Sequence, residues 1–300
     1  MQSSNIIIGC GDLGKRIAKQ LINRHEAVLA TSHQESSQKI LHNFGIQTIS
    51  ADLDTANSLS NINFQHANVY YLLPPPSDGI SDTRMSNFIT TISHNLAPRR
   101  IVYISTTGVY GDAQGEWITE KQPANPQTNR GKRRLDAEQQ LISFCAQSSC
   151  EYNILRVSGI YCLNKLPLER LKAGVKALDL TIAPSSNRIH AKDLTTICLH
   201  TMRGNSCNQI FNAADGKPSS ITDYFIKVAN TFNLPQPQQI SWQDAQTEVS
   251  SAMLSYLAES KKISIEKIKE TFNFEPQYPD LETGLQQCHR EYKQNTSTRV

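Results

Sequence analysis

Residues 5–21 read Asn5-Ile6-Ile7-Ile8-Gly9-Cys10-Gly11-Asp12-Leu13-Gly14-Lys15-Arg16-Ile17-Ala18-Lys19-Gln20-Leu21. Three consecutive isoleucines lack the alternation of a half-exposed strand, so they suit a strand covered on both faces. Leu13, Ile17 and Leu21 then recur at i, i+4 and i+8, the spacing of one helix face. The Gly-x-Gly-x-x-Gly between them is weak alone but gains force from the strand before it and the helix after it. Gly9 permits the tight turn, Gly11 lets backbone approach a pyrophosphate, and Gly14 lets helix pack close to strand. The helix N-terminus adds free N–H groups for the phosphates. Gly9, Cys10, Gly11, Asp12, Leu13 and Gly14 are therefore candidate dinucleotide-binding residues.

The same rhythm extends outward. Apolar runs at 27–30, 47–50, 69–73, 101–105 and 152–157 read as further strands buried on both faces. Helical spacing covers 82–95 and 132–147. Repeated βα units imply a parallel sheet with helices on both sides and right-handed crossovers. The expected fold is α/β, a Rossmann-type doubly wound parallel sheet with a smaller C-terminal α+β substrate lobe. In that lobe and its approach, the sequence predicts a short helix near 166–173, a strand near Thr181, a helix after Ala191 and a strand over 209–212. Helices follow near 220–232 and 263–272, and the last seven residues, from Gln294, read as a frayed tail. The expected division is 1–162 with about 186–215 for the nucleotide-binding domain, and 163–185 with 216–300 for the lobe.

Composition narrows the function classes. The 300 residues are 38% hydrophobic and 19% charged, with 30 Lys+Arg against 27 Asp+Glu, leaving +3. That balance gives no reason to expect nucleic acid as a partner. No apolar run approaches the length of a membrane span, so no membrane partner is expected either. The first residues carry no basic n-region, which points to a cytoplasmic protein. Seven scattered cysteines form no C-x-x-C pair; they read as buried reduced thiols, with no metal site expected.

Past the second strand, NAD-binding chains carry an acidic residue for the ribose 2′-hydroxyl. Thr31-Ser32-His33 stands there instead. The hydroxyls and imidazole, Ser32 and His33 above all, suit a 2′-phosphate better than a carboxylate would, which leans towards NADP with NAD as the alternative. Asp52 and Leu53 follow the third strand, where a carboxylate can accept from an adenine amino group; a helix-capping role fits Asp52 equally well. Leu73, Pro74 and Pro75 end the fourth strand, at the carboxyl edge where open α/β sheets bind ligands.

Further motifs are Ser105-Thr106-Thr107-Gly108-Val109-Tyr110-Gly111-Asp112, Asn129-Arg130-Gly131-Lys132-Arg133-Arg134 with Glu138, and Leu155-Arg156-Val157-Ser158-Gly159-Ile160-Tyr161. Beyond them come Arg188-Ile189-His190-Ala191-Lys192-Asp193-Leu194 and Phe211-Asn212-Ala213-Ala214-Asp215. In order and spacing the chain resembles the short-chain dehydrogenase/reductase superfamily, in the extended and atypical branches that include NAD-dependent epimerases/dehydratases. The resemblance implies a Ser/Thr–Tyr–Lys site, with the Ser/Thr at Thr106, and a homodimer through the 82–95 and 132–147 helices. The family's Tyr-x-x-x-Lys falls on Arg130 and Arg134. Guanidinium is effectively never deprotonated, so Arg130 cannot be a general base. Loss of such help removes about 10²- to 10⁴-fold in rate.

Four of the 30 basic residues lie within 130–134. Arg130 or Arg134 is expected to hold an anionic group of a small-molecule substrate, and Arg134 also a ribose or phosphate of the cofactor, whereas Lys132 and Arg133 read as solvated. Tyr110 is the best remaining proton donor, with Tyr161 as a lining aromatic. Asp193 reads as a helix N-cap, and His190 as a hydrogen-bonded structural histidine. Three functions stay open: an NAD(P)-dependent oxidoreductase, a non-catalytic NAD(P)-sensing protein, and a sugar-nucleotide epimerase/dehydratase.

Overall fold

The computed structural model describes residues 5–93 and 97–297. β1 (Asn5–Ile8) is buried at every position and turns at Gly9 into α1 (Asp12–Ile22), which buries Gly14, Ile17, Ala18 and Leu21. β2 (Val28–Ser32), α2 (Glu35–Asn43) and β3 (Gln47–Ser50) follow. Then come β4 (Asn68–Tyr71), α3 (Thr83–Ile92), β5 (Arg100–Thr106) and the two-residue β6 (Trp117–Ile118). α4 (Asn129–Ala146) starts where Thr128 Oγ1 accepts from Gly131 N at 3.0 Å, and β7 (Glu151–Val157) succeeds it.

The rest of the chain is built of shorter pieces: β8 (Gly159–Tyr161), α5 (Leu168–Lys172), β9 (Lys176–Leu178), β10 (Ser185–Ser186) and β11 (Arg188–His190). α6 (Ala191–Arg203), β12 (Gln209–Ala213), β13 (Ser219–Ser220) and α7 (Ile221–Phe232) come next. The chain then forms β14 (Gln238–Ile240), α8 (Trp242–Glu248), α9 (Ser251–Leu257), β15 (Lys262–Ile263), α10 (Glu266–Phe272) and α11 (Leu281–Ser297).

The main sheet runs β12-β7-β5-β4-β1-β2-β3. β1 pairs in parallel with β2 (Ile6 opposite Leu29) and with β4 (Ile6 opposite Val69), and β2–β3 and β4–β5 are parallel too. The winding direction reverses at β1, so the carboxyl ends of β1 and β4 form the crevice where such sheets bind ligands. Ile6, Ile8, Val69, Tyr71, Ile101 and Tyr103 bury one face of the sheet against Met85, Phe88 and Ile92 of α3 and Ala137, Leu141 and Cys145 of α4. This is the Rossmann-type α/β fold.

Two compact units share the chain: one holds the residues up to Val109, Ala124–Arg156 and Thr195–Phe211, the other Tyr110–Pro123, Val157–Leu194 and the residues from Asn212 on. The division differs from the expected one, since residues 110–123, 157–162, 186–194 and 212–215 group with the second unit. That unit has its own core of Tyr161, Leu171, Tyr224, Phe225, Val228 and Leu285.

Several elements depart from expectation. β3 is an edge strand with Gln47 and Ser50 exposed, not a strand buried on both faces. Thr181 lies in a turn, donating from N and Oγ1 to Asp179 Oδ1; the strand sits earlier, at β9. The 263–272 helix begins only at Glu266, because Lys262–Ile263 pairs with Trp117–Ile118. The supposed tail is helical to Ser297. Asn95, the expected end of the third helix, falls outside the described residues. None of the seven cysteines forms a disulfide, and six of them are buried. No helix of the described residues is long and apolar enough to cross a membrane.

Candidate functional site

Gly9 has φ +83, in the left-handed region that favours glycine, and a Cβ there would stand 3.0 Å from Leu73 Cα. β1 and β4 therefore touch at their carboxyl ends, where Leu72 N also donates to Ile8 O at 2.9 Å. At Gly14 a Cβ would meet Cys10 Sγ at 3.0 Å, so this glycine is needed for helix–strand packing. Gly11 differs: it is exposed, and a Cβ there would meet nothing within 4 Å. The fold itself makes no demand for glycine at this position. Gly9 N donates to Thr31 Oγ1 at 3.1 Å, which ties the loop to the end of β2. Burial pushes the Cys10 thiol up to about 12, leaving it protonated. Asp12 opens the helix and pairs with Arg16 at 3.0 Å.

Beside this loop lies a cavity of about 180 Å³, lined by Gly9, Thr31–His33, Ala51–Asp54, Leu73 and Arg84. The structure thus gathers Ser32, His33, Asp52, Leu53 and Leu73 with the first glycine of the fingerprint; Pro74 and Pro75 continue from Leu73. Asp52 caps no helix: its Oδ1 accepts from Asp54 N at 3.0 Å, and its Oδ2 is 3.7 Å from His33 Nδ1. Arg84 and Asp54 escaped the sequence reading. The Arg84 guanidinium donates to both Asp54 oxygens at 2.6 Å and to Pro74 O at 2.9 Å. These bonds hold the Asp54 carboxyl below its usual range and raise Arg84. A usable signal existed: a cation in the first turn of a helix opposes the helix dipole and calls for a nearby acid.

The residues expected at the Ser/Thr–Tyr–Lys positions lie along β5 and α4. Thr106 is half-buried, with Oγ1 accepting from Gly108 N at 3.2 Å. Arg130 and Lys132 are exposed. Arg133 is not a solvated arginine: it is only 7% exposed and donates from Nη1 to Gly79 O at 2.6 Å. The Arg134 Nη1 faces Ile104 O at 2.8 Å, Tyr103 OH at 3.2 Å and Leu73 O at 3.4 Å, so this guanidinium bridges the carboxyl ends of β4 and β5. One turn further along α4, the buried Glu138 accepts from Ser105 Oγ at 2.5 Å and from Arg156 Nη2 at 2.7 Å.

Tyr110 belongs to the second unit, and its hydroxyl is buried against Asn212 Oδ1 at 2.8 Å. That places the expected proton donor in a structural tie. Tyr161 is buried as well, its hydroxyl on Asp280 O at 3.3 Å. Asp193 is not an N-cap: its oxygens accept from Gln277 N and Tyr278 N at 2.9 and 3.0 Å. His190 is hydrogen-bonded as expected, its Nδ1 accepting from Lys192 N at 3.3 Å, and its ring lies tilted against Tyr278 with centroids 4.1 Å apart. Burial pushes the Asp215 carboxyl up to about 7. A separate cavity of about 450 Å³ in this unit is lined in part by Lys217, Ser219, Ser220, Asp223 and Asp280. Its Lys217 pairs with Asp280 at 3.4 Å. Among the described residues no group of three or more His, Cys, Asp or Glu side chains could hold a metal ion.

Residues 5–109 match the family described as the TrkA-N domain. Protein YeeZ of Escherichia coli (strain K12) is 28% identical over 194 residues, which are 64% of this chain; the chain spans about 62% of the length of the curated relatives it matches. A functionally unknown conserved protein from Silicibacter pomeroyi DSS superposes with a TM-score of 0.84 at 22% identity, covering 97% of this chain and 99% of that one. A short-chain dehydrogenase/reductase superfamily protein from Agrobacterium tumefaciens with bound NAD superposes with a TM-score of 0.76 at 15% identity, covering 99% of each. The chain thus has the fold of that superfamily over nearly its whole length.

Proposed function

We propose that the chain binds a nicotinamide dinucleotide on the Gly9–Gly14 loop and is an oxidoreductase of the atypical short-chain dehydrogenase/reductase type, acting on a small anionic substrate. The observation that carries this is Gly11: crowding accounts for Gly9 and Gly14, whereas only an incoming group needs the room at Gly11. The residues fit the cofactor. The α1 N-terminus would hold the pyrophosphate, and the Ser32–Asp54 cavity would hold the adenosine half. Bound there, the nicotinamide would supply hydride transfer.

Within this reading Thr106 orients a substrate oxygen. Arg134 holds the β4 and β5 edges beneath the cofactor and, with Arg130, contributes positive charge for the substrate anion. Neither arginine moves a proton. The second reading, a non-catalytic protein that senses dinucleotide state, is favoured by the tied hydroxyl of Tyr110. A homodimer through α3 and α4 accompanies either reading.

Titration with NADH and NADPH, followed by turnover assays on carboxylated and phosphorylated carbonyl and alcohol substrates, tests the proposal. Binding with turnover supports the enzyme, and binding without turnover supports the sensor. Absence of binding at millimolar dinucleotide overturns both. Turnover of sugar nucleotides would instead make it an epimerase or dehydratase.

A further inference from the structure

The cavity beside the glycine loop holds four ionisable side chains, and their pairing bears on which dinucleotide enters. Asp52 and Asp54 are the acids, Arg84 is the one arginine or lysine among the lining residues, and His33 supplies an imidazole. The Arg84 charge is paired: Nε and Nη2 each donate to an Asp54 oxygen at 2.6 Å, and Nη1 donates to Pro74 O at 2.9 Å. Its charge and the Nε/Nη2 fork are taken up by the Asp54 carboxylate, so a second anion meets an uncompensated bidentate guanidinium only when Asp54 is released. His33 Nδ1 stands 3.7 Å from Asp52 Oδ2.

With His33 neutral, two carboxylates against one guanidinium leave the cavity one net negative charge; with His33 protonated it is neutral. A 2′-phosphate carries about −1.5 to −2 near pH 7 and needs uncommitted cations around it. A 2′-hydroxyl needs only an acceptor, which a carboxylate supplies. Resting on the cofactor reading above, we propose that this cavity selects NAD over NADP, with the Asp54–Arg84 pair as its specificity determinant. Asp54 acts by occupying the one guanidinium that would otherwise meet a 2′-phosphate. Ser32 and His33 alone lean towards NADP; Asp54 and Arg84, which line the same cavity, reverse that balance.

The test is isothermal calorimetry with NAD⁺ and NADP⁺ on the wild-type protein and two variants. For the wild type, NAD⁺ should bind at least about tenfold more tightly than NADP⁺. Asp54→Asn frees Arg84 and should narrow that ratio by strengthening NADP⁺ relative to NAD⁺. Arg84→Gln leaves Asp54 unpaired and should widen the ratio. The two shifts are opposite in sign, and general damage to the fold cannot produce both. NADP⁺ binding as tightly as NAD⁺ to the wild type, or both variants moving the ratio the same way, overturns this specificity assignment and leaves the cofactor reading intact. Binding of neither dinucleotide to the wild type overturns the cofactor reading and the specificity assignment with it.

Discussion

Glu138→Ala is expected to be among the most damaging single changes in this protein. The Glu138 and Arg156 side chains are 1% and 6% exposed and meet at 2.7 Å, with further contacts at 3.2 and 3.3 Å. Truncation leaves the Arg156 guanidinium in a desolvated site without its counter-charge, a loss of about 3–5 kcal/mol. The Ser105 hydroxyl loses its acceptor in the same step. Against a total stability of about 5–15 kcal/mol, that is a large share. Urea unfolding followed by circular dichroism reads the loss directly. Glu138→Gln keeps an acceptor for Ser105 but not the charge, and should fall between wild type and Glu138→Ala. The double variant Glu138→Leu with Arg156→Met removes both charges and should recover most of the loss, since apolar replacement of a buried pair is often neutral. A cost for Glu138→Ala below about 1 kcal/mol, or a double variant no better than the single, would refute the reasoning.

Two further outcomes follow from the second unit. Asp215, pushed up to about 7 by burial, keeps a proton in the folded chain that the unfolded chain releases near its ordinary value of about 3.9. Stability should therefore fall as pH rises from about 4 to about 7, with the full cost present above that window. Asp215→Asn should flatten the profile in urea melts, and an unchanged slope would count against the assignment. Tyr110→Phe breaks the bond to Asn212 and should cost about 1–3 kcal/mol of stability while leaving dinucleotide affinity unchanged. A loss of turnover without loss of stability would return Tyr110 to the role of proton donor.

The parallel sheet was legible because β1, β4, β5 and β7 carry apolar runs that need no partner information. The glycine spacing likewise placed the ligand crevice. β3 misled because Ile49 and the adjoining Ala51 make an edge strand look like a core strand; edge position is a property of strand order, which local pattern does not encode. α11 was missed because its buried face is only Leu281, Gly284, Leu285 and Cys288 on an otherwise polar segment. Arg133 read as solvated because its acceptor, Gly79 O, lies 54 residues away in sequence. Arg84 and Asp54 were hidden for the same reason, being 30 residues apart. Pairings of this kind are set by tertiary structure, and they decide what each charge is free to do.

If the glycine loop receives a dinucleotide, Gly11→Val should block binding without unfolding the chain. Gly11 has φ −78, open to any residue, and a Cβ there meets no atom within 4 Å. The fold should tolerate valine within about 0.5 kcal/mol, while its methyl groups fill the space proposed for the pyrophosphate. Calorimetry with NAD⁺, paired with a thermal melt, should show an unchanged melting temperature and an affinity reduced at least about a hundredfold. An affinity equal to that of the wild type would show that the dinucleotide does not sit on this loop.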